Sequence, residues 1–336
     1  MEDGRMKKLI AAGIIVPVLI IGLLVFTPNL DMLGLMKNTD ESLTPMGRHY
    51  VLITNGENDD FWMRVYDSAR REGLENSAYV ELFGSRLSVD YSRNELLKIA
   101  RRASVDGIIV EADEDAATQR LIDEIVNAGI PVVTAMKDCS SSIRQSYVGI
   151  NNYDTGVLYG EKIASLLTGK KEARVLVVAK GEASSVSENL ILLGIRETLA
   201  DELPGCEIRV DSETISRTSS FAEEEYYNAL FMREELPDVL ICQNAVGTIC
   251  AYQSAVDHNE VGTVSIIGFY DSDAILTAVK KEVLTATLSI DAEEMGKACV
   301  DALEDYYTYG HTSGYQSVKM EIIDSEKAAQ MLSEAE

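Results

Sequence analysis

From residue 50 onward the chain alternates short, almost wholly apolar runs with longer stretches whose apolar residues recur every three or four positions. YVLITN at 50–55, AYVELFG at 78–84, DGIIVEA at 106–112 and IPVVTAM at 130–136 have the length and β-branched content of buried strands. Between them, residues 61–76, 90–103 and 116–128 predict amphipathic helices. The pattern then restarts. SYVGINN at 146–152 leads into a helix over 154–167. The runs at 173–179, 206–214, 237–243 and 262–270 alternate with helices over 187–203, 221–235, 246–258 and 273–280. A run at 283–290, a helix over 291–307, the run YQSVKMEII at 315–323 and a short helix over 325–334 close the chain. Near-continuous apolar strands between helices predict mostly parallel sheets covered on both faces. The fold class expected is therefore α/β, with two doubly wound lobes.

Residues 9–26, LIAAGIIVPVLIIGLLVF, form eighteen positions without a charge, preceded by Arg5, Lys7 and Lys8. That length just crosses a thin hydrocarbon layer, and a membrane helix tolerates Pro17. The basic flank places 1–8 in the cytoplasm and the bulk of the chain outside. A cleaved signal peptide is the alternative, but no small-x-small site follows. The first cysteine is Cys139, which disfavours a lipid-modified N-terminus. The expectation is an uncleaved single-pass signal-anchor and a Gly/Pro/Asn-containing linker over 27–47.

Composition narrows the function. Fifty-five acidic residues against 30 basic give a net charge of −25, which repels nucleic-acid phosphates. Five cysteines, an odd number without CxxC or Cys/His ligand spacing, make neither a disulfide scaffold nor a metal motif, and the three histidines are scattered. No nucleophile elbow, zinc-protease, dinucleotide or phosphate-loop motif occurs. A binding protein without catalysis, cofactor or metal is expected. In open α/β sheets ligands bind beyond the C-terminal strand ends, so two facing lobes bring two sets of loops to one cleft.

Several blocks together resemble the type 1 periplasmic-binding proteins, in the sugar-binding branch shared with ribose- and galactose-type receptors and the LacI-like repressors. They are NDDFW at 58–62, VDGIIV at 105–110, AGIPVVT at 128–134 and YVGINNYDTGVLYGEKIA at 147–164, followed by ICQNAVGTICAYQSAV at 241–256, SIIGFYDSD at 265–273 and VLTATLSIDAEEMGKA at 283–298. The resemblance spans about residues 50–323. It implies a three-crossing hinge near 149–152, 288–291 and 313–316. The N-terminal lobe is then 48–149 plus 291–313, the C-terminal lobe 150–288 plus 316–323, and 324–336 a tail. A hydrophobic segment stands where the repressors carry their DNA-binding region, which disfavours repression.

The resemblance also implies binding residues. Phe61 and Trp62 match the aromatic pair that packs on sugar rings, and Asn55 and Asp59 share their loop. Asn244 matches a ligand-binding Asn, with helix capping as its alternative role. Elsewhere the chain departs from the pattern. Met136 and Lys137 replace an Asp-Arg pair, with Asp138 one place on. Asn189 stands near an expected Arg, Tyr270 takes an Asp place with Asp271 beside it, and Ile290 replaces a Gln. Each unpaired buried hydroxyl costs about 1–3 kcal/mol, so these losses argue against ordinary ribose, glucose or galactose. Glu57, Glu182, Ser184, Ser185, Ser187 and Asp273 are candidate replacements. The function implied is capture of a small, polar, sugar-like ligand for an ABC-type importer. The alternatives are presentation of ligand to a membrane receptor or histidine kinase, and a non-sugar or protein-binding derivative.

Overall fold

The structure is a computed structural model and describes residues 47–54, 60–85, 87, 89, 91–180, 186–215 and 221–334. The expected anchor at 9–26 and its linker up to residue 46 lie outside them. Among the described residues no helix is long and apolar enough to cross a membrane.

The first lobe runs β1 (Arg48–Ile53), α1 (Asp60–Glu75), β2 (Ala78–Leu82), α2 (Arg93–Ala103), β3 (Gly107–Val110), α3 (Ala116–Asn127), β4 (Val132–Ala135) and β5 (Ser146–Gly149). The second runs α4 (Asn152–Leu167), β6 (Glu172–Lys180), α5 (Val186–Glu202), β7 (Glu207–Ile215), α6 (Ala222–Phe231), β8 (Val239–Cys242), α7 (Ala245–Asp257), β9 (Ser265–Phe269), α8 (Asp273–Lys280) and β10 (Ala286–Ile290). The chain ends with α9 (Ala292–Tyr309), β11 (Tyr315–Ser317), β12 (Met320–Ile323) and α10 (Ser325–Glu334).

Each lobe holds a six-stranded sheet, in the orders β11-β5-β4-β3-β1-β2 and β12-β10-β9-β8-β6-β7. Both are the same doubly wound arrangement. The order reverses between β1 and β3 in the first sheet and between β6 and β8 in the second, and ligand crevices of this architecture open at such switch points. The strands β1, β3 and β4 are buried along nearly their whole length because helices cover both faces. β12 alone runs antiparallel, against β10.

The terminal strand departs from expectation. The run 315–323 is two strands. β11 pairs in parallel with β5, Tyr315 opposite Tyr147, and adds to the first sheet. β12 belongs to the second. Val318 lies between them, buried, with its N–H donating to the Gly149 carbonyl. The third crossing therefore falls at 318–319, later than the expected 313–316, and residues 316–317 sit in the first sheet rather than the C-terminal lobe.

Two helix pairs approach so closely that only glycine fits. α4 and α5 meet at Gly156 and Gly194, where a Cβ would lie 2.2 Å from the Ile191 carbonyl and 2.4 Å from the Tyr153 carbonyl, respectively. α1 and α9 meet at Gly296. Short polar side chains start several helices: Asp115 caps α3, Asn151 caps α4 and Asp291 caps α9.

Candidate ligand cleft

The first turn of α1 carries Phe61 and Trp62, both buried. Their rings meet edge to face with centroids 5.6 Å apart. Phe61 also stacks on Tyr270 of the second lobe, centroids 4.8 Å apart and planes 16° from parallel. The Phe269 ring also lies against Tyr270, tilted by 45° with centroids 4.5 Å apart. These rings join Ile150 and Ile290, from two of the crossings, in one apolar cluster that runs through both lobes.

Beside the rings lies a polar bridge. Arg64, one turn along α1, donates from Nη1 to Asp271 Oδ2 at 3.2 Å and from Nη2 to Oδ1. Ser289 Oγ donates to the same Oδ2 at 2.7 Å. The Asp271 side chain is only 3% exposed, whereas that of Arg64 is 42% exposed. Asp271 thus ties the second lobe to the first. The bridge lines a cavity of about 240 Å³ whose other walls include Ile290, Asp291 and Lys319.

On the first lobe the end of β3 presents Glu111, which is buried. Lys137 Nζ lies 2.8 Å from its Oε1, and Thr54 Oγ1 donates to its Oε2 at 2.9 Å. Arg93 donates to its backbone carbonyl and to the Asp113 carboxylate. Burial pushes the Glu111 carboxyl up, but Lys137, Thr54 and Arg93 outweigh it and hold it below the ordinary 4.5. The sign follows: a depressed folded pKa contributes stability above the unfolded value and loses it as pH falls through the folded one. Thermal unfolding from about pH 6 down to about pH 3 should show this acid loss, and Glu111→Gln should flatten it. A variant curve parallel to the wild type's would refute the assignment.

The residues singled out from sequence take distinct places. Phe61, Trp62, Tyr270 and Asp271 come together at the lobe junction. Lys137 is exposed beside Glu111. Asp138 is committed within its own lobe: it accepts from Thr134 Oγ1 at 2.6 Å and from the Cys139 N–H at 2.8 Å, and it pairs with Arg144. Its oxygens therefore shape the turn after β4. Asn244 caps α7, accepting from the Gly247 N–H at 2.7 Å. Asn189 is exposed in the first turn of α5, with Ser187 close by. Asp273 is exposed at the start of α8. Asn55, Glu57, Asp59, Glu182, Ser184 and Ser185 lie outside the described residues. Sequence reading missed Arg64 and Ser289 as members of this constellation, whereas Glu111 stands just after β3, where the strand-end rule looks for ligand contacts. Only the i, i+3 spacing of Phe61 and Arg64 on one helix could have pointed to Arg64. Cys139, Cys206, Cys242 and Cys299 are free thiols, and burial pushes Cys242 up to about 12.

Residues 50–311 match the periplasmic binding protein domain model. The chain belongs to that family. It is a type 1 solute-binding protein of the sugar-binding branch, a binder rather than an enzyme, and its binding domain is extracytoplasmic. A Rhizobium meliloti protein named for rhizopine binding is 29% identical over 258 residues, 71% of this chain and 81% of its own. Among solved structures, the glucose-galactose binding protein GanP of Geobacillus stearothermophilus is 25% identical with a TM-score of 0.71, covering 83% of this chain and 98% of GanP. XylFII in its complex with LytSN has a TM-score of 0.69 at 22% identity, covering 84% of this chain and all of that one.

Proposed function

We propose that the chain captures a small sugar-like ligand between its lobes and delivers it to an ABC-type importer. The observation that carries this reading is the junction of the two lobes: aromatic rings from both meet there, flanked by Arg64, Asp271 and Ser289, beside the strand ends at which such sheets bind ligands. Aromatic faces suit the C–H side of a sugar ring. The solute classes named for GanP and for the Rhizobium meliloti relative point the same way. The charge-free segment 9–26 with its basic flank supports tethering by a single-pass anchor, with the lobes outside. A second reading has the closed lobes presented to a membrane sensor, and it draws on the XylFII relative having been solved in a complex.

The test uses the single tryptophan, Trp62, which is buried at the junction. Its fluorescence and the melting temperature are followed while sugars, polyols and cyclitols are titrated. A saturable change in both, with Tm rising as ligand occupies the folded state, is the expected result. A folded protein that responds to none of them sinks the reading.

A further inference from the structure

The second lobe holds a cavity of its own, away from the lobe junction. It measures about 290 Å³ and is lined by the edge strand β7, its neighbour β6, the end of α6 and the segment that leads to β8. Leu176, Leu230 and Pro237, all buried, give it an apolar lining. Three arginines stand around that lining, Arg174, Arg209 and Arg233, in a chain whose net charge is −25.

Arg174 of β6 and Arg209 of β7 lie directly opposite one another in the parallel ladder. Like charges so placed destabilise a sheet, and an anion between them relieves the repulsion. Glu172 and Glu207, opposed one pleat earlier, are exposed and do not line the cavity. The acids that do line it leave the pair with capacity to spare. Glu213 is taken by Arg233, which donates to it from Nη1 at 2.7 Å and from Nη2 at 2.9 Å, and it also accepts from the Tyr226 hydroxyl at 2.7 Å. Arg174 donates from Nη1 to Glu235 at 2.8 Å, but that glutamate side chain is 83% exposed. Arg209 Nε lies 2.7 Å from Asp211 Oδ2, and its own side chain is 72% exposed. Among the described residues neither guanidinium makes a further side-chain hydrogen bond. Exposed ion pairs of this kind contribute little and exchange readily, whereas a carboxylate held by the guanidinium fork is the stronger contact.

We propose that this cavity is a second ligand site, for a small carboxylic acid with an apolar body. The carboxylate spans Arg174 and Arg209 and displaces Glu235. The body lies on Leu176, Leu230 and Pro237. A bare oxyanion leaves that apolar lining unused, and an uncharged molecule leaves the two arginines facing each other, so both parts of the ligand are needed. The site is built wholly from second-lobe residues and stands whatever the cleft binds.

The experiment is calorimetric titration of the full-length chain with 3-phenylpropanoate, its neutral amide and inorganic phosphate. The carboxylate should bind at least about tenfold more tightly than either of the others. Arg174→Gln and Arg209→Gln should each weaken it at least about tenfold with Tm unchanged. Arg101→Gln, which removes an exposed ion pair with Glu124 on the first lobe, should leave its affinity as in wild type. No binding of 3-phenylpropanoate overturns the site. Amide or phosphate bound as tightly overturns the ligand class. An affinity unchanged in both Arg174→Gln and Arg209→Gln puts the ligand elsewhere and overturns the assignment. The response of Trp62 to sugars is read separately and bears on the cleft alone.

Discussion

Replacing Gly296 with valine is expected to cost about 3 kcal/mol of stability, at the upper end of overpacking penalties. A Cβ built there would lie 2.2 Å from the Val65 carbonyl and 2.8 Å from both the Ala69 nitrogen and the Ser68 Cβ. Two of those atoms are backbone of α1, so no rotamer change can clear the way. The helices must separate, and α1 is the element that carries Phe61, Trp62 and Arg64. Loss of stability should therefore come with loss of the junction geometry. Urea unfolding followed by Trp62 should show a lower midpoint and, before the transition, a more solvent-exposed tryptophan. Gly205→Ala is the control. A Cβ at Gly205 meets nothing within 4 Å, so its midpoint should stay within about 0.5 kcal/mol of wild type. Equal midpoints for the two variants would mean that α1 and α9 have room the structure does not show.

The architecture was legible because its signals are local. The strands β1, β3 and β4 are buried on both faces, so their apolar runs stand out without knowledge of what covers them. The helices α3, α4 and α9 begin at Asp115, Asn151 and Asp291, whose side chains act within three residues of themselves. β11 escaped because it is three residues long, outer parts exposed, and gains its place only by pairing with β5 far back in the chain. The cleft divides in the same way. Phe61 and Trp62 could be picked out as aromatics beside a strand end. Asp271 could be picked out as polar, but its partner Arg64 is 207 positions away and in the other lobe. Asp138 could be picked out as polar beside a strand end, but its pairing with Arg144 could not. What sequence misses is pairing, above all across lobes.

Arg64→Ala should open the lobes. It removes the cation and leaves the Asp271 carboxylate, 3% exposed, with Ser289 as its remaining hydrogen-bond donor in the bridge. Breaking a fully buried pair costs about 3–5 kcal/mol. The Arg64 side chain is 42% exposed, and solvent screens that end of the pair, which brings the figure down to about 2 kcal/mol. The contact crosses from α1 to the loop after β9, so the cost falls on lobe closure more than on either lobe's own folding. About 2 kcal/mol is about a thirtyfold change in the closed-to-open ratio. X-ray scattering should then give a larger radius of gyration and Trp62 emission should shift to the red, with the melting of each lobe little changed. The reversed pair, Arg64→Asp with Asp271→Arg, should recover part of the closed population, as two residues acting through one contact do. If Arg64→Ala scatters like wild type, closure rests on the Phe61–Tyr270 stack instead, and Tyr270→Gly should then open a molecule that the loss of the ion pair does not.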